Sequence, residues 1–259
     1  MKKVISIVLV LVLFVFAMAC SNEDRKPPVE SPPTENNNEK QIENEIEPND
    51  YEDLGGANDV KLYPTDDASQ NPSFESFRKE LLHAIEQKDV AFIKEHLDEN
   101  IKYSFGINDK VSGFLKEWKL DTEPNRSQFW HELNQVLLLG GTFNDNEKTI
   151  FTAPYIFTEF PEDLDAFQHH AVIDKNVLVY SDSDINSDID GELNYSIVKI
   201  TERDVKPING EADLWIKIET LSGNTGYILN KYARSPIHYR ASFRYLEDTW
   251  KLMFFVAGD

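Results

Sequence analysis

Cysteine is almost absent from this chain: among 259 residues there is one, Cys20, so an intramolecular disulfide is impossible. Basic residues are scarce too. Lys and Arg number 26 against 46 Asp and Glu, a net charge of −20. That balance disfavours nucleic-acid binding, which needs clustered cations for phosphate contacts. It also sets the chain's own field against anionic membranes and wall polymers, although an acidic surface serves solubility first. Catalytic signatures are missing as well. There is no Gly-x-Ser-x-Gly elbow and no Gly-rich phosphate loop followed by Lys-Ser/Thr. His131-Glu132-Leu133-Asn134-Gln135 opens like a zinc-protease helix, but Gln135 stands where the second histidine ligand belongs. The segment therefore reads as the surface of an amphipathic helix. His169 and His170 are adjacent, diverge in a helix or a strand, and so rarely serve one metal.

What is present begins at the N-terminus. Lys2 and Lys3 precede an uncharged run from Val4 to Met18, and small residues lead into Ala17-Met18-Ala19-Cys20. This is signal-peptide anatomy with the cleavage site moved onto a cysteine. It resembles the lipobox of bacterial lipoproteins, with Ala17 where leucine is usual. The resemblance implies removal of residues 1–19 and a diacylglyceryl group on the sulfur of Cys20, which becomes the mature N-terminus. It also implies a location in the bacterial cell envelope, on the outer membrane where there is one, and leaves no catalytic thiol. An ordinary secretory signal and a retained membrane helix are the alternatives. The latter is short: ~15 residues rise ~22 Å, against a hydrocarbon core of ~30 Å.

Residues 20–70 read as an acidic disordered tether. From Ser21 to Gln70 there are 14 acidic and 4 basic residues, two aromatics (Tyr51 and Tyr63) and many Pro and Asn. Such a segment cannot bury enough apolar area to offset the entropy of ordering. Residues 71–165 then read as a helical domain. Phe74, Phe77, Leu81, Leu82 and Ile85 recur at helical spacing behind a Ser73 cap, and Asp89 caps a second helix carrying Val90, Ile93 and Leu97. A third carries Val111, Phe114, Leu115 and Trp118; a fourth starts at Ser127 and ends at Gly140-Gly141.

Beyond residue 166 the period changes to that of strands. These are expected at Val172–Tyr180, Tyr195–Thr201, Leu214–Thr220, Gly226–Leu229, His238–Leu246 and Thr249–Val256, with turn signals between them. Trp215-Ile216-Lys217-Ile218, a turn, and Gly226-Tyr227-Ile228 resemble bacterial SH3-like domains. So do the opening strand Asn176–Tyr180, the long loop Asp182–Asp190 and the second strand from Gly191. The fold class expected is α+β: an N-terminal helical unit, then a C-terminal all-β SH3-like barrel over 166–259 with an added terminal hairpin.

Two candidate sites follow. The resemblance implies an aromatic peptide groove, for which Tyr180, Trp215, Tyr227 and Tyr232 are the available residues. Asp182, Asp184, Asn186, Asp188 and Asp190 offer hard oxygen ligands to a weak calcium site. The template glutamate is missing, because Ile197 falls at its position when the loop is counted from Asn186. No other cofactor is implied. The function expected is a membrane-anchored, non-enzymatic binding or assembly module for an envelope protein or cell-wall component. The alternative is a cell-wall hydrolase, or its accessory, using a carboxylate pair.

The anchor is directly testable. Cys20→Ala is expected to release the protein from the membrane fraction or leave an unprocessed precursor, because stable anchoring needs two or more acyl chains. A cleaved Cys20→Ala protein that stays with the membrane in fractionation would refute lipidation.

Overall fold

The structure is a computed structural model that describes residues 51–56, 59–106, 110–210 and 213–258. Cys20, the signal segment and the tether up to residue 50 lie outside the described residues. Within them the chain runs α1 (Pro72–Gln87), α2 (Val90–Glu95), β1 (Leu97–Lys102), α3 (Lys110–Glu117), α4 (Phe129–Leu138), β2 (Thr142–Phe143), β3 (Ile150–Ala153) and α5 (Tyr155–Glu159). It continues through β4 (His169–Val172), β5 (Val177–Tyr180), β6 (Ile189–Leu193), β7 (Ile197–Val205), β8 (Trp215–Thr220), β9 (Thr225–Leu229) and β10 (Ala233–Arg234), and ends in β11 (Arg240–Leu246) and β12 (Thr249–Val256).

Local chemistry explains the helix boundaries. The Asn71 side chain accepts from the Ser73 and Phe74 amides at 3.0 and 3.4 Å, so α1 is capped two residues earlier than expected. Pro72 fits the first turn, whose amides have no helical partner, and Lys88 ends the helix at φ 54°. Asp89 caps α2 as expected, at 2.9 and 3.1 Å. Gly140, at φ +70°, follows α4. A Cβ there would also meet the Thr65 carbonyl at 2.6 Å, so glycine is required twice over.

The first layer is a five-stranded sheet in the order β1-β12-β11-β3-β2, antiparallel except for β1 beside β12. Helices α1 and α4 pack on it, and Phe74 stands at the centre of the core. Its fully buried ring lies 4.1 Å from Phe151 and 4.8 Å from Trp250, centroid to centroid, with Phe77, Phe143 and Phe243 within 6.0 Å.

The second layer is a seven-stranded antiparallel sheet in the order β10-β4-β7-β8-β9-β5-β6. Its core is branched aliphatic, including Val172, Val179, Val198, Ile216, Ile218 and Ile228. Tyr155 and Ile156 of α5 pack with Leu62, Ala171 and Ile197 in a third apolar cluster that joins the two layers.

The expected architecture is corrected here. A helical unit followed by a small SH3-like barrel is not what forms: two mostly antiparallel sheets do, with few helices. Among the described residues β10 and β6 do not pair, so the second sheet stays open. The reason is visible at its edges. The outer edge of β6 is occupied by residues 52–54, with Leu54 N donating to Glu192 O and Glu192 N donating to Glu52 O, both at 2.9 Å. The terminal hairpin β11–β12 is no addition to a barrel either; it supplies the middle of the first sheet, between β1 and β3. The described residues of 51–70, expected to belong to the tether, carry defined contacts. Leu62 and Ala68 are buried, and Lys61 joins the Asp53 carboxylate at 2.8 Å to Ser196 Oγ at 2.9 Å.

Because Phe74 is fully buried against strands from the middle and the C-terminal part of the chain, Phe74→Ala is expected to cost about 3–5 kcal/mol. Removing residues 237–259 should abolish folding altogether rather than leave a folded helical unit. Urea unfolding followed by near-UV dichroism tests both, and a cooperatively folding truncated chain would contradict this account.

Candidate ligand-binding cleft

A cleft of about 790 Å³ opens where the second layer meets α4 of the first. Helix α4 contributes His131, Glu132 and Gln135, so the failed zinc motif lies at this wall as a partly exposed helix face. The opposite wall comes from β4, β7 and β10, which carry His170, Arg203 and Arg234 respectively. Lys231 and His238 lie on the segments flanking β10, and both are exposed.

The polar chemistry is concentrated on three of these residues. Arg203 Nη1 lies 3.0 Å from His170 Nε2, and Arg203 Nη2 donates to the Phe167 carbonyl at 3.0 Å. A guanidinium only donates, so Nε2 accepts and the single proton of the neutral imidazole resides on Nδ1. That Nδ1–H is buried and has no acceptor among the described residues. Arg234 Nη2 donates to the Tyr239 carbonyl at 3.0 Å, while its Nε is likewise buried and unpartnered. Neither Arg203 nor Arg234 has an ion-pair partner among the described residues. Burial holds the Arg234 guanidinium below its ordinary pKa, with the Glu132 carboxylate acting in the opposite sense. His170, 6% exposed, is pushed down to about 4, first by burial and then by the adjacent Arg203.

The residues singled out in the sequence lie elsewhere. Trp215 is fully buried and Tyr180 nearly so, their rings in edge-to-face contact at 5.3 Å. Tyr227 stands opposite Tyr180 in the β5–β9 register with Lys217 5.3 Å from its ring, and Tyr232 packs against the aliphatic core. Tyr180 and Trp215 are thus core, and the four do not line one groove. Among the described residues no three His, Cys, Asp or Glu side chains gather into a group able to hold a metal, the loop with Asp182, Asp184, Asn186, Asp188 and Asp190 included. Asp184 instead accepts from the Asn186 amide at 2.9 Å and from the side chains of Asn186 and Asn209. Asp182 accepts from the Ser183 amide at 2.8 Å. These carboxylates hold the loop's own backbone.

Sequence reasoning passed over Arg203, Arg234 and His170 as a set. The only signal was the His169-His170 pair, and strand alternation separates the two as expected. His169 is half-buried with Nδ1 3.0 Å from the Asp165 carbonyl, whereas His170 is buried beside Arg203. Compared with known proteins, the chain matches no family model, no curated protein and no solved structure.

His170 gives the fold a pH dependence of known sign. Above pH 6.5 the imidazole is neutral folded and unfolded, so it contributes no slope there. As pH falls from about 6.5 to about 4 the unfolded chain takes up a proton that the native chain refuses, and stability is lost. The loss from this group is at most roughly 3 kcal/mol, complete by pH 4. His170→Gln should remove that component, so the difference between wild-type and variant urea midpoints must change between pH 7 and pH 5. A constant difference would mean that His170 titrates normally.

Proposed function

We propose that this protein is a lipid-anchored envelope protein whose folded part is a non-enzymatic binding module, and that the cleft between α4 and the second sheet is where it binds. One observation carries this reading. In a chain of net charge −20, two guanidiniums face one cleft with no carboxylate of the described residues in ion-pair distance, one of them largely withdrawn from water. Keeping an unpaired cation partly buried costs free energy. Folding alone gives no return for that cost, whereas a bound partner does. The cleft volume falls in the ordinary range for small-molecule sites, roughly 300–1,000 Å³.

The anchor and tether complete the reading. Acylation at Cys20 holds the protein at a membrane, and the acidic segment from residue 21 to about residue 50 keeps the folded part away from anionic surfaces. The module then meets solutes or neighbouring macromolecules of the envelope through the cleft.

Native mass spectrometry on protein released gently from its own membranes tests this proposal. A co-purifying species is expected on the wild-type chain and should be absent from Gln135→Trp, which fills the cleft from α4. Identical spectra would overturn the assignment of the cleft. Incubation with peptidoglycan is expected to leave the polymer intact; turnover abolished by Glu132→Gln would replace the binding reading with a hydrolytic one.

A further inference from the structure

We propose that the group bound in this cleft is an oxyanion, a carboxylate or a phosphate, held against Arg203 and Arg234. The inference rests on the binding reading and adds the ligand's chemical class. Its ground is an imbalance of hydrogen-bonding roles. Arg203 and Arg234 can only donate, and the bond from Arg203 forces His170 to carry its proton on Nδ1, making that atom a donor as well. Two buried donors, His170 Nδ1 and Arg234 Nε, have no acceptor among the described residues. Buried donors in folded proteins are nearly always satisfied, so this wall is short of acceptors, and a ligand oxygen reaches these two atoms only if the side chains shift.

Among the described residues no carboxylate fills that role. Glu132 and Asp204 line the same cleft, yet neither lies within ion-pair distance of Arg203 or Arg234. The third cation is already engaged, since Lys231 Nζ bonds the Asp213 carboxylate at 3.0 Å. A neutral ligand would supply acceptors but no charge to oppose the two guanidiniums. A cationic ligand would add repulsion. An oxyanion satisfies both conditions, and its two or three oxygens match the planar fork of a guanidinium. The surrounding acidic surface repels anions at long range, so recognition depends on short contacts inside the cleft rather than on diffuse attraction.

The test uses the full mature chain and imidazole ¹⁵N resonances. Inorganic phosphate and succinate are titrated separately, with glycerol as the neutral control and vesicles of phosphatidylglycerol as a separate arm. A saturable shift of the His170 Nδ1 resonance is expected with phosphate or succinate and not with glycerol. The apparent affinity should drop tenfold or more in Arg203→Gln and in Arg234→Gln. Arg203 is exposed, so its variant keeps the test valid if Arg234→Gln folds poorly. A response to the vesicles alone, equally sensitive to Arg203→Gln, would identify a lipid headgroup as the source of the phosphate. No saturable response to any anion, or responses unchanged by Arg203→Gln, would overturn the oxyanion assignment. A neutral species retained in native mass spectra would then leave the binding reading standing without it.

Discussion

The antiparallel register of β11 against β3 is the constraint on which the rest of the fold depends. Ala241 stands opposite Ala153 and Phe243 opposite Phe151, joining positions that the whole second sheet separates in the chain. Everything from β4 to β10 is therefore an insertion between two neighbouring strands. That is feasible because the insertion's first and last strands are themselves paired: Ala233 faces Val172 and Arg234 faces Ala171. Entry and exit leave side by side, and the entropy of closing so long a loop grows only slowly with its length. Around this join the rings of Phe74, Phe151, Phe243 and Trp250 bury the seam, so core and topology depend on one another.

The same arrangement produces the cleft. β4 and β10 lie at one edge of the second sheet, where the chain passes between layers, and α4 of the first layer faces them. His170 and Arg234 sit on that strand pair, and Arg203 reaches it from β7, the next strand inward. A wall shared by two layers packs less completely than the interior of either. Polar groups withdrawn there lose water without gaining protein partners, which is how His170 Nδ1 and Arg234 Nε come to lack acceptors among the described residues.

Local structure was largely legible. The repeat of Phe74, Phe77, Leu81 and Ile85 defines α1, Asp89 caps α2, and the expected strand Thr249–Val256 coincides with β12. Where local reading slipped, a competing local interaction won, as when Asn71 rather than Ser73 caps α1. The acidic loop illustrates a different kind of ambiguity. Alternating carboxylates look alike in sequence whether they converge on a cation or turn back on their own amides, and Asp184 does the latter. Trp215 and Tyr180 were likewise recognisable as a pair of aromatics on strands, but their burial against each other makes them core rather than a groove.

By itself the sequence determined the periodicity of most helices and strands, the acidic balance and the uncharged run ahead of Cys20. Each of these resides in neighbouring residues and needs no knowledge of distant ones. Tertiary structure alone decided which strands share a sheet. The pattern of β11 and β12 is equally compatible with closing a barrel or entering the first layer, and the choice fell to ring packing around Phe74 together with the coverage of β6 by residues 52–54. Tertiary structure alone also decided the cleft. His170, Arg203 and Arg234 are spread over β4, β7 and β10, and only sheet order brings a guanidinium against an imidazole and fixes which ring nitrogen keeps its proton.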